Sequence, residues 1–257
     1  MKIGVCTGTN IERMKLARDI GYDFVESHCQ EICNLSEKEL EDIKNAGIPV
    51  FSANCFIGMR VVGEERDDEK IAEYLDTLFS RASYLGMQIL VFGSSGARNR
   101  PENMSYEETV SQIVSFLKNL VTPRAEKYGI RVAIEPLRKA ECNIINLVSE
   151  GVEIAKLVES EYVKVLADVK HVVEGGEDLA SLASYGDMLI HAHTSNPFPD
   201  ESTGKKRTFP RQEDSFDQGS FLLPLVKAGV SQVAIEADVI DFESDCRAAY
   251  EVLKKYR

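Results

Sequence analysis

The sequence predicts a single (β/α)8 TIM barrel over residues 1–257. Three observations carry this. An amphipathic stretch closing on glycine and followed by a short β-rich run recurs along the whole chain. Eight such β-rich runs occur, counting the opening KIGVC, which has no helix before it. The mean unit, 257 residues over eight, is about 32, the size of a βα repeat.

In chain order the repeat reads LARDIGYDFVE, DIKNAGIPVFSA, ASYLGMQILVFG, AEKYGIRVAIE, LASYGDMLIHAH and LVKAGVSQVAIE. Its glycines are Gly21, Gly47, Gly86, Gly129, Gly186 and Gly229. Each falls where a helix end takes a left-handed residue. A seventh unit, LVESEYVKVLAD, does the same without glycine. Ile71, Tyr74, Leu75, Leu78, Ala82 and Leu85 recur at spacings of three and four and mark one apolar helix face. Ser36 with Glu39, and Ser105 with Glu108, have the capping-box spacing of helix starts. The strands are short apolar runs such as ILVF, VAI and MLI, as strands covered on both faces should be. A doubly wound open sheet is the rival. It usually has fewer strands, and no GxGxxG follows the first strand; VFGSSGAR sits at the fourth with the wrong spacing.

Composition narrows the function classes. The chain is 44% hydrophobic and 28% charged, with a net charge of -12. An acidic surface repels phosphate backbones, so no nucleic-acid partner is expected. The six cysteines (6, 29, 33, 55, 142 and 246) form no CxxC and read as reduced thiols in a cytoplasmic protein. The start, MKIGVCTGTN, turns polar too soon for a signal peptide. No apolar stretch approaches the roughly 20 residues of a membrane span, so no membrane association is expected.

In such a barrel the active site lies at the C-terminal mouth. There the fifth strand ends in Ile134-Glu135-Pro136, the sixth in Ala167-Asp168 with His171 just beyond, the seventh in His191-Ala192-His193, and the eighth in Ile235-Glu236. Three carboxylates brought together in a barrel mouth must take up protons or be offset by a cation. Glu135, Asp168, His193 and Glu236 make a set of three oxygens and one nitrogen, suited to Mn²⁺, Mg²⁺ or Co²⁺, with Zn²⁺ as a further option. His191 and His193 share the inward face of their strand. His193 reaches the rim, and His191 sits deeper, as support for it or as core. Glu26, at the end of the second strand, reads as a structural salt bridge or a substrate contact. Cys6 and Cys55 read as small core residues, and His28 as a solvated loop residue. Loop cations above the mouth (Arg98, Arg100, Arg138, Lys139, Lys170, Lys205, Lys206, Arg207) would suit an anionic sugar phosphate or sugar acid.

The motifs IEPLRKAE, ADVKH, HAHTSNP and VAIEAD resemble, in order and spacing, those of the xylose isomerase-like barrels, the sugar phosphate isomerase/epimerase family that includes the ketose 3-epimerases. The resemblance runs over nearly the whole chain. It implies one divalent metal ion, Mn²⁺ first among the options, held by Glu135, Asp168, His193 and Glu236. It implies proton exchange by Glu135 and Glu236, substrate contacts from His171, Glu141 and Arg207, a small carbohydrate substrate, and a homodimer or homotetramer. Three departures bear on the substrate. Arg138-Lys139-Ala140 stands where Asn-Arg-Tyr is common, Lys170 stands where an aromatic residue is common, and the loop from His193 to Arg207 is long.

The expected chemistry is proton abstraction next to a carbonyl, through an enediolate that a divalent ion stabilises. Return of the proton to the same carbon epimerises it; return to the neighbouring carbon isomerises the sugar. A dehydratase acting on an inosose or similar keto-polyol is the alternative on the same barrel. An endonuclease IV-type nuclease needs more histidines than this chain has, and a non-catalytic sugar-binding barrel would show no turnover.

Overall fold

A computed structural model describes residues Met1–Arg257. The chain alternates strand and helix: β1 (Lys2–Cys6), α1 (Ile11–Ile20), β2 (Phe24–His28), α2 (Cys29–Asn34), α3 (Glu37–Lys44), β3 (Val50–Asn54) and α4 (Asp68–Leu85). Then come β4 (Ile89–Phe92), α5 (Ser95–Arg98), α6 (Tyr106–Phe116), α7 (Thr122–Tyr128), β5 (Arg131–Ile134) and α8 (Val148–Val158). The last part holds β6 (Val163–Asp168), α9 (Val169–Gly175), β7 (Leu189–Thr194), α10 (Gln218–Ala228), β8 (Gln232–Ile235) and α11 (Phe242–Leu253). All neighbouring strands are parallel, and β8 pairs with β1, closing an eight-stranded barrel. This is the single (β/α)8 architecture the repeat predicts.

The local signals act where they were expected to, with two exceptions. Ser36 with Glu39 and Ser105 with Glu108 form reciprocal capping boxes at the starts of α3 and α6. Gly21, Gly86, Gly129 and Gly229 close α1, α4, α7 and α10 in the left-handed conformation. In the unit without glycine, Glu159 takes that conformation itself, at φ 58°. The exceptions are Gly47, which lies beyond the end of α3, and Gly186. Gly186 caps no α-helix; it kinks a 3₁₀ stretch, Leu179–Met188.

Apolar packing divides into two regions. The larger lies between the strands and the surrounding helices. The smaller fills the barrel and consists of Ile89, Val91, Ala133, Leu166 and Ile190, with Phe51 against them. Further along β2, β3 and β7 the interior changes character: Glu26, Ser52 and His191 are fully buried and polar. The interior therefore passes from apolar at its base to polar at its C-terminal end, where the site lies.

Candidate metal centre and active-site mouth

Strand register sets the site. Asp168 ends β6 beside His193 of β7, and His193 lies beside Ala234 of β8, two residues before Glu236. Glu135 follows β5 directly. Residues two apart in a strand share a face, so all four side chains enter the same mouth. Their ligating atoms lie within 4.8 Å of one another. From His193 Nδ1, Glu135 Oε1 is 3.1 Å away, Glu236 Oε2 3.3 Å and Asp168 Oδ2 3.9 Å. Adjacent ligands of an ion with bonds of about 2.1 Å stand roughly 3 Å apart, so this spacing matches a divalent cage.

In His193, Asp168 and Glu236 the outer atom is held by the protein, which leaves the inner atom directed at the centre. His193 Nε2 lies 2.7 Å from Glu26 Oε1. That contact keeps a proton on Nε2, so that an ion taking the place of the Nδ1 proton would meet the Nδ1 lone pair. Asp168 caps α9 with Oδ1, which accepts from the backbone N–H groups of Lys170 (2.8 Å) and His171 (3.1 Å). Glu236 Oε1 accepts from the Asn54 amide at 2.9 Å. Glu135 is fixed through its backbone: buried Arg98 donates to its carbonyl and to that of Phe92, tying the ends of β4 and β5 together. Gly93 leaves the space that the Glu135 carboxylate occupies, since a Cβ there would overlap Oε2. The donor set and its supports thus fit a divalent ion.

The charges respond to this crowding. Burial raises the Glu135 carboxyl above its usual range, against the pull of His193. Burial also acts on Glu236 and Asp168, but nearby positive charge outweighs it. His193 and Arg207 lower Glu236, and Arg207, His171 and His193 bring Asp168 down to about 2. For His193, burial favours the neutral ring, yet Glu26 and Glu236 raise its pKa well above the usual value.

Glu26 is the residue whose role the sequence left most open. Fully buried, it meets His193 Nε2 at 2.7 Å, His191 Nε2 at 2.8 Å and the Ser52 hydroxyl at 2.5 Å. It does not face the cavity; it orients the His193 ring. His191 belongs to the same support. Cys6 Sγ lies 3.5 Å from Glu26 Oε1, so Cys6, Glu26 and His193 also stand close enough to share an ion. That trio is part of the support, because Glu26 is already spent on two imidazoles and burial raises the Cys6 thiol well above its usual range.

The expected substrate contacts reach the same rim. His171, Glu141 and Arg207 line a polar cavity of about 400 Å³ together with Glu135 and Glu236. His171 Nδ1 accepts the Arg138 N–H at 3.3 Å, which leaves Nε2 as a donor. Arg207 goes further in than a substrate contact alone requires: its guanidinium bridges Asp168 Oδ2 (2.6 Å) and Glu236 Oε2 (3.2 Å). The long loop is pinned to place it. Asp238 accepts from the Lys206 and Arg207 backbone, and Asn196 bridges to Thr208.

Several sequence readings are corrected. Arg98 and Lys170 are not cations above the mouth. Arg98 is buried on backbone carbonyls, and Lys170 is buried on the Pro197 and Lys206 carbonyls and the Glu174 carboxylate. Arg138 is spent on Glu141 and Glu174. His28 ends β2 and caps α2 rather than lying in a loop. Cys55 is not a core residue but lines the mouth, where burial pushes its thiol up to about 12.

This fold and sequence place the chain in a known group: it belongs to the xylose isomerase-like TIM barrel family, whose model matches residues 14–256. Among curated proteins, D-psicose 3-epimerase from Agrobacterium fabrum is 23% identical over 187 residues, covering 68% of this chain and 63% of that protein. The match therefore spans less than two thirds of that relative. Among solved structures, 3-keto-D-glucoside 4-epimerase from E. coli superposes with a TM-score of 0.81 at 18% identity, over 99% of each chain. The IOLI protein, solved with a zinc atom bound, gives a TM-score of 0.76 at 20% identity, over 100% of this chain and 99% of that one.

Proposed function

We propose that the protein is a divalent-metal-dependent sugar isomerase or epimerase acting next to a carbonyl. The observation that carries this is the pairing of a cage built for one ion with two carboxylates, Glu135 and Glu236, on the wall of a sugar-sized cavity. The epimerase relatives point the same way. Glu135, Asp168, His193 and Glu236 would hold the ion, and the zinc-bound relative supports a divalent metal there. When bound, the ion would offset the negative charge that builds on the carbonyl oxygen as the neighbouring proton leaves. The protein's own residues do the rest. One glutamate takes the proton and the other returns it. His171 and Arg207 donate to sugar oxygens, and Glu141, held by Arg138, accepts from a hydroxyl.

The cavity selects an uncharged sugar. Of the eight cations that the sequence offers to an anionic substrate, only Arg207 lines it, against the carboxylates of Glu135, Glu141 and Glu236. Even with a divalent ion in place, a phosphate there would meet net negative charge, because Glu135, Asp168, Glu236 and Glu141 together outweigh the ion and Arg207. Mn²⁺ as the resident ion, a dimeric or tetrameric assembly and a cytoplasmic site of action belong to the same proposal. They are checked by elemental analysis, light scattering and fractionation.

The test of the reaction is deuterium wash-in. The metal-loaded protein, incubated with a ketose in D₂O, should place deuterium next to the carbonyl, and a chelator should stop it. Glu236→Gln should lower wash-in by about 10²-fold or more. Unchanged wash-in would remove Glu236 from proton transfer.

A further inference from the structure

The cavity over the metal centre already has the volume for one sugar ring, yet the mouth does not end there. A second depression of about 560 Å³ opens over the ends of β1 and β2 and shares two residues, Asn54 and Cys55, with the first. Both volumes fall in the range of small-ligand sites, roughly 300–1,000 Å³.

The saddle between the two is built under strain. Cys55 is in the left-handed region at φ 54°, which a residue with a side chain adopts at a cost. Its carbonyl is held there by the Gln30 amide at 2.9 Å, and the adjoining Phe56 carbonyl by the Tyr74 hydroxyl at 2.6 Å. The strained turn presents Asn54 to both compartments while the Asn54 amide donates to Glu236, a carboxylate of the reaction centre. Such strain persists only where the surroundings impose it, and it clusters at functional sites.

The lining of the second compartment fits a polyhydroxylated ring. His28 Nδ1 is occupied by the Glu31 N–H at 3.3 Å, so its Nε2 is the ring's donor. Thr9 is fixed by its hydroxyl and N–H on Glu31. Arg13 and Glu31 balance in sign, so nothing there selects an anion. Ala237 and Val239 form an apolar wall of the kind that packs on the C–H face of a sugar.

We propose that the mouth is a two-compartment site whose preferred substrate is a keto-sugar carrying a second sugar ring, with that outer ring held between Thr9, His28 and Val239. This rests on the sugar isomerase/epimerase reading for the inner compartment and adds the outer one.

The experiment uses the intact Mn²⁺-loaded protein with D-fructose and with three glucosyl-fructoses, turanose, maltulose and palatinose, which keep the ketose carbonyl available. Saturation-transfer NMR reports which rings touch the protein, titration gives affinity, and deuterium wash-in reports the reaction. At least one glucosyl-fructose should bind tenfold or more tightly than fructose, with transfer to both rings. Thr9→Trp and, from the segment after β8, Val239→Trp should each cut that preference tenfold or more and remove the outer ring's signal. Transfer confined to the fructose ring, no gain in affinity over fructose, no binding at all, or a preference that survives both tryptophans would each overturn the proposal. Binding of both rings without wash-in would leave the outer compartment standing and remove the proton-transfer reading. Wash-in from fructose with no outer-ring contact would do the reverse.

Discussion

The two halves of the barrel rim contribute different things. The ends of β5 to β8 supply the four candidate ligands, Glu135, Asp168, His193 and Glu236, whose donor atoms stand close enough to share an ion. The ends of β1 to β4 supply none of these ligands, but they hold three of those residues in place. Glu26 from β2 fixes the His193 ring, Asn54 from β3 fixes Glu236, and Gly93 after β4 makes room for Glu135. One half provides the charge, and the other provides the orientation. A metal site needs both, because ligands that can turn away bind an ion weakly.

Substitutions on the two sides should separate these roles. The largest effect is expected from Asp168→Ala, which removes a ligand and the cap of α9 together; stoichiometric metal should be lost in elemental analysis of the purified protein. Glu26→Gln should retain the metal but weaken it by about 10–100-fold in a competitive chelator titration. If Glu26→Gln were as severe as Asp168→Ala, Glu26 would be a ligand, and the division between the halves would fail. Gly93→Ala should displace the Glu135 carboxylate and slow wash-in by up to about 10²-fold, as misplacement of a reacting group by about 1 Å does. Circular dichroism should remain that of the native barrel. The smallest effect concerns Cys55. A thiol pushed up to about 12 is raised, so its reactive thiolate is scarce below that pH and grows as pH rises toward it. Peptide mapping after iodoacetamide treatment at pH 8 should find Cys55 unmodified although it lines the mouth.

The ligand half was legible because its signal is chemical. Carboxylates and imidazoles at the ends of four successive apolar strands are conspicuous, and the period-2 geometry of a strand fixes which of them face inward. The supporting half was not. Ser52, Asn54 and Gly93 are ordinary residues with no pattern of their own, and Glu26 reads equally well as a structural salt bridge or a substrate contact. Its contacts with His191 and His193 bridge 165 and 167 residues of sequence. The cations misled for the same reason. Arg98 and Lys170 look solvated in a loop sequence, and only the folded chain shows which carbonyls and carboxylates they satisfy.

The sequence by itself determined the eight-fold repeat, the closure of most helices and which four side chains stand at the strand ends of the mouth, since all of these depend on residues near one another along a strand or helix. The tertiary structure alone decided how each ligand is aimed, where each cation is spent and that the mouth has two compartments. Those depend on distances between strands on opposite sides of the barrel, which closure of the β-sheet sets and no local pattern records.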